Sequence, residues 1–595
     1  MTRPEATAEE REKELTDRLK AMELQMERLS ARLGEEASTA SGPKTTALED
    51  ENDYQPQGIA DVSEEVLNWA SRNALLPRLA TLCFLMVVAL ILRTITDSGI
   101  IDKLIGSGIG MGYAAILMFA GWYKYRENSL LAPIISACGA ILMSAIVVET
   151  HTHFNALPVV PAYLTLIATG IGMALISRQF NAFTPVSVGI LGMCFAGAAM
   201  DYPRPFFPYL ALVLFTANLL GYFASQLKRC TWLRWSALFV TIVMLQLWQT
   251  QIVTALKQNT VTPEMAISWF LPVVAVFAIT YMALALFGII RRGPEKLSKY
   301  ITSLPAINAL WAYSAANFVL GAQGANIRLL GIIGILAAIS HFGATFWLAR
   351  RNLEGAPGSS AFTLGGGVLL ALSLPAAIGS FALSLPVISI VAIAMAFMSR
   401  VWGSGHLRLT TYLFHLYSSV ALAIVLRGTT PSALDITNVL PAGLLAFVII
   451  YQYLWCRWYP PTDDYAFFGR FDPRDRSAVM LLLAGLLSGF FMMRSAIYQT
   501  MQIFYASMPT DAFGCAQSVL INTAAIILIV LAYLRHDKEI RNVAILVTIV
   551  GGVKVFAYDL LGGAHGLPLV FSVFSFGVAA AVESVALGKW TNKPV

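Results

Sequence analysis

The chain has 595 residues, 57% of them hydrophobic and 13% charged, with a mean hydropathy of +0.66 and a formal net charge of +6. Water-soluble chains carry about a quarter charged residues, so this composition excludes a soluble globular enzyme and places most of the chain in lipid. The small basic excess suits the cytoplasmic loops of a membrane protein and gives no reason to expect nucleic-acid binding.

Residues 1–35 open with Leu15, Leu19, Met22, Met26, Leu29 and Leu33, whose alternating steps of four and three are the apolar rhythm of a coiled coil. Charged residues fill the flanks and Gly34 ends the pattern. A cytoplasmic helix that self-associates through these six residues into a homo-oligomer is one reading; a lone solvated amphipathic helix is the other. The segment 36–60, with Gly, Pro, Ser and Thr and little apolar content, cannot bury enough surface to offset chain entropy and reads as a flexible linker. The segment 61–78 sets Val62, Val66, Leu67 and Trp69 to one side, as in a helix lying on the membrane surface. The first 30 residues are too polar for a secretory signal, so the apolar run from Leu79 is expected to act as an uncleaved anchor.

From 79 to 587 apolar segments follow almost back to back, each near the roughly 20 residues that span a 30 Å hydrocarbon core. The expected fold is all-α: a polytopic transmembrane bundle of about 18 spans, from 79–95 and 104–122 through to 541–561 and 566–587, with a cytoplasmic tail at 588–595. Within 361–399 the run "SLPAAIGSFALSLP" leaves open two spans, a broken hairpin or a re-entrant loop. The distribution of Lys and Arg tests the count. About 23 fall in one alternate set of loops and about five in the other, which puts both termini in the cytoplasm; one miscounted span would scramble this pattern. The loops are short, so any chemistry must be built between helices.

The six cysteines are scattered without a CxxC pair, which argues against a disulfide framework or zinc site and for buried thiols. In "GSGIGMG" no strand precedes the glycines, so the nucleotide-loop reading fails. Gly106 with Gly110, and Gly108 with Gly112, read instead as small residues four apart that let helices approach. Neither a cofactor nor a bound metal is called for by any motif.

Two places carry candidate chemistry. Lys554 and Asp559 lie inside an apolar span, where ionisable groups are costly and mark either a pair or a functional site. Lys554 is about 20 Å along the helix from Arg541 at 1.5 Å per residue, in the outer half, with Asp559 near the outer edge. Five α-helical residues turn the two side chains to different faces, so each is expected to find its own partner, and Arg494 suits Asp559. The second place, Glu149, His151 and His153 in "VVETHTHFN", offers a carboxylate and two imidazoles at an outer helix end. These can take up a proton or a transition metal, though no fourth ligand is visible and interfacial turn residues are the plainer reading. Glu583, near the inner end of the last span, reads as a boundary residue within reach of Lys589.

The stretch "IRNVAILVTIVGGVKVFAYDLLGGAHGLPLVFSVFSFGVAA" resembles the end of the bacterial membrane-protein family called domain of unknown function 2339. The match rests on Lys554, Asp559, Ser575, Phe576 and Gly577, and a second match covers "ACGAILMSAIVVETHTHFNALPVVPAYLTLIATGIGMALISR". The resemblance implies the plan of coiled coil, linker and long series of spans in a bacterial inner membrane, and no activity. The family usually has an arginine where this chain has Ser572, so another cation is expected to face Asp559 here. Three functions stay open: transport of a small or lipid-linked substrate, a self-associating scaffold for an envelope complex, and a membrane-embedded enzyme acting on lipid or glycan carriers.

Overall fold

The structure, a computed structural model, describes residues 75–591 apart from 130, 202–206, 225–230, 266, 293–298, 352–355, 357, 429–433, 462–471, 473, 505–509 and 563–565. These belong almost wholly to one unit, Pro77–Val595. The heptad residues Leu15 to Leu33 and the linker lie outside the described residues.

Among the described residues every long element is a helix and none is a strand. In chain order they are α1 Leu75–Asp97, α2 Lys103–Arg126, α3 Ala132–Thr152, α4 Val159–Phe180, α5 Phe183–Asp201 and α6 Phe207–Ala224. Then come α7 Thr231–Gln258, α8 Ile267–Arg292, α9 Lys299–Ala322, α10 Ile327–Arg351, α11 Ser359–Ile378 and α12 Phe381–Val401. The last six are α13 Gly405–Leu426, α14 Val439–Trp458, α15 Val479–Phe504, α16 Thr510–Arg535, α17 Lys538–Val553 and α18 Leu567–Thr591. Sixteen are long and apolar enough to cross a membrane, so the architecture is that of a helical, multi-pass membrane protein. Helix is what lipid demands, because no water is present to satisfy backbone polar groups.

The segment 361–399 resolves into two helices, α11 and α12. Gly379 adopts the left-handed region at φ 78, which only glycine enters without strain, and the Ser380 side chain then caps α12 by accepting from Leu383 N. Asp102 caps α2 and Asp537 caps α17 in the same way, each satisfying amides that a helix start leaves orphaned.

The apolar interior falls into two clusters. One is drawn chiefly from α2–α9, around Phe207, Phe270, Phe277 and Tyr281. The other is drawn from α9–α18, around Leu385, Leu422, Ile449 and Ile529. Ile279, Phe287, Leu336 and Phe447 are largely exposed on the outside, a surface that fits lipid and would mark an interaction patch on a soluble protein. Lys124, Arg126, Arg350, Arg351, Arg457, Arg476, Arg535, Lys538 and Arg541 flank the α2–α3, α10–α11, α14–α15 and α16–α17 connections. If each helix crosses once, these connections share one side, called here the basic end, and α1–α2, α3–α4, α13–α14 and α17–α18 share the opposite end.

Candidate functional site

The site is built where α16, α17 and α18 meet toward the opposite end. α17 does not stop at Val553 but continues as a π-helical turn, Lys554–Leu560, in which Leu561 N donates to Phe556 O. A π turn closes i→i+5 bonds, so residues five apart stack on one side. Lys554 Nζ therefore reaches Asp559 Oδ1 at 2.6 Å. The expectation that the two face apart is corrected: it assumed α-helical rotation, and the extra residue per turn removes the difference. The turn depends on Gly562, where a Cβ would strike the Tyr558 carbonyl.

Asp559 is 3% exposed and Lys554 25%. Asp559 Oδ2 accepts from the hydroxyls of Ser518 on α16 and Ser572 on α18, the latter at 2.6 Å. Three donors thus hold one carboxylate, which offsets much of its desolvation. One turn along α16, Asn522 donates to Ser575 Oγ at 2.8 Å, and Gly551 leaves the room Asn522 needs. Phe576 closes the side by packing edge-on against Phe556 at 5.4 Å. Of the residues that carry the family resemblance, Lys554, Asp559 and Ser575 join one polar network with Phe576 beside it. Ser572 meets Asp559 as a hydroxyl donor, and the cation facing Asp559 is Lys554. The remaining motif residue, Gly577, has open space where its Cβ would be.

Arg494 is not the partner of Asp559. It turns to the α13–α14 connection, donating to the carbonyls of Leu426, Arg427 and Gly428. A helix C-terminus with orphaned carbonyls is the stronger attraction there.

Glu149, His151 and His153 are not brought together either. Glu149 Oε1 pairs with Arg93 Nη2 at 2.8 Å, His151 Nδ1 donates to Leu157 O at 2.9 Å, and His153 Nε2 faces Asp97 at 3.4 Å. His153 caps α3 beyond its last turn, and among the described residues no three His, Cys, Asp or Glu side chains gather where a metal could sit. Glu583 is buried rather than at a boundary. Gly106 and Gly110 do sit against Thr96 and Ile146 as packing residues, whereas Gly108 and Gly112 face open space.

A second acid–base pair, absent from the sequence expectations, lies at the basic end. Arg408 on α13 meets Asp475, just before α15, at 2.6 Å, with side chains 1% and 0% exposed. Arg408 Nε donates to Tyr412 Oη at 2.9 Å, and its Nη1 donates to Tyr459 O. The Tyr412 hydroxyl donates to Asp475 at 2.8 Å and touches Cys456 Sγ at 3.2 Å. Arg457 donates to Asp475 O and pairs with Glu539 at 3.0 Å. Asp475 sits at φ 51, a left-handed conformation that a non-glycine residue keeps only where its surroundings over-determine it. Burial pushes its carboxyl above the ordinary range, with Arg408 and Tyr412 pulling against that shift. One signal was available: Arg408, Tyr412, His415 and Ser419 recur at helical spacing on α13, and all four are buried.

Compared with known protein families, curated proteins and solved structures, the chain matches none.

Proposed function

We propose that the chain is a transporter of a small or lipid-linked substrate in a bacterial inner membrane, with its termini in the cytoplasm and the Lys554–Asp559 pair facing the outer half. The observation that carries this reading is the unequal enclosure of the pair: Asp559 is shut in and Lys554 is partly open. A cation so placed can exchange its carboxylate partner for an anionic group on a substrate. Ionisable groups inside spans commonly mark ion and substrate paths, and π turns recur at functional sites.

The scaffold reading rests on a different observation, the heptad run from Leu15 to Leu33. The two are separable in cells whose own copy is deleted. If the chain transports, Lys554→Ala and Asp559→Asn abolish complementation while removal of residues 1–36 is mild; a scaffold gives the reverse order. Vesicles carrying the purified full chain and a fluorescent phospholipid add a direct readout of lipid crossing, expected to fall at least about tenfold in Lys554→Ala, a loss of roughly 1.4 kcal/mol.

A further inference from the structure

A cleft of ≈ 210 Å³ opens between α1, α2 and α3 toward the opposite end, far along the chain from Lys554. Its walls are apolar, from Leu92, Leu142 and Ile146, but the Arg93–Glu149 pair lines it at 2.8 Å. Ser107, nine-tenths buried, also lines it, and its hydroxyl has no hydrogen-bond partner among the described residues. The hydroxyls of Thr96 and Thr150 are already donating to Leu92 O and Ile146 O. Ser107 therefore holds the spare O–H proton among these three.

We propose that this cleft binds the headgroup of a zwitterionic phospholipid with a primary ammonium, its phosphate on Arg93 and Ser107 and its ammonium on Glu149. The pair is neutral as a whole. An anion alone would strand Glu149 and a cation alone would strand Arg93, whereas a zwitterion replaces one ion pair by two. A carboxylate accepts N–H bonds, which a primary ammonium offers and a quaternary one lacks. A cleft of this volume admits a headgroup and leaves a lipid's acyl chains outside it. The exposed apolar side chains of the same helices, Leu90, Ile91, Leu104 and Ile105, give acyl chains a place beside it.

The test uses the purified full chain in nanodiscs of phosphatidylcholine doped with either phosphatidylethanolamine or phosphatidylglycerol, with retained lipid counted by native mass spectrometry. The wild-type chain is expected to retain phosphatidylethanolamine over both others. Arg93→Gln should lower that retention about tenfold, and Glu149→Gln should erase the preference over phosphatidylcholine. Ser107→Ala, which leaves the ion pair in place, should weaken it about threefold and guards against misreading a folding defect. Equal retention of phosphatidylglycerol, or unchanged retention in both Arg93→Gln and Ser107→Ala, would overturn the proposal. Displacement by soluble phosphoethanolamine at equal concentration would overturn the assignment to a lipid.

Discussion

Arg408–Asp475 and Lys554–Asp559 are both acid–base pairs at 2.6 Å within the same half of the chain, yet they are built in opposite ways. The first joins residues 67 apart in sequence, is closed on every side, and uses nearly all its donors on a tyrosine, two carbonyls and one carboxylate. The second joins residues five apart on one helix and leaves its lysine partly open. The difference teaches that burial of an ion pair is not by itself a sign of activity. A pair with nearly every proton committed locks helices together, whereas a pair with an accessible member can change partners.

Breaking the closed pair should produce the largest effect. Arg408→Ala or Asp475→Ala strands a buried charge and is expected to lower unfolding stability by about 3–5 kcal/mol, measured by thermal unfolding in detergent. The double variant Arg408→Met with Asp475→Leu should recover most of that loss, since packed apolar residues replace a buried pair at little cost. If Lys554→Ala destabilises as strongly, the contrast between the two pairs collapses.

Next in size is the π turn. Gly562→Ala sets a Cβ against the Tyr558 carbonyl and is expected to cost about 1–3 kcal/mol, the range for overpacking. It should also part Lys554 from Asp559, so its loss of complementation should match that of Lys554→Ala. Retention of function in Gly562→Ala would show that the turn does not set the pair. Lys554→Ala itself is expected to cost only about 1–2 kcal/mol, because Ser518 and Ser572 still satisfy the carboxyl.

The smallest effect concerns the approach to α15. Asp472 accepts from the amides of Arg476 and Ser477, both at 2.7 Å. Burial alone would push its carboxyl up, but the Ser477 and Arg476 donors outweigh burial and hold it below its usual value of 3.8. A depressed carboxylate contributes stability above its unfolded pKa and loses it as pH falls through the folded one. The contribution should therefore be intact at neutral pH and fade below about pH 4. Asp472→Ala should cost about 0.5–2 kcal/mol, as for a helix cap, and should flatten the acid limb of a stability profile.

Both pairs also show how far the residues could be read without coordinates. Apolar run length announced the helices from Leu79 onward, the first of which begins at Leu75 within the segment read as interfacial, and Gly379 with Ser380 explains why 361–399 makes two of them. The charge of Lys554 and Asp559 was visible, but their pairing was not, since it turns on one extra residue per turn over Lys554–Leu560. Asp475 was hidden differently, in a loop of mixed charges that reads as solvated. Arg93 lay inside the first apolar run, where a lone cation is itself a signal, yet its partner sits two helices away.

What the sequence determined by itself is the element type and its repetition, because lipid admits only internally satisfied backbone and sets the length of each span. What tertiary structure alone decided is the partner of each buried charge. That choice depends on helix register, on local departures from α-helical rotation and on contacts between residues distant in the chain, none of which composition or periodicity encodes.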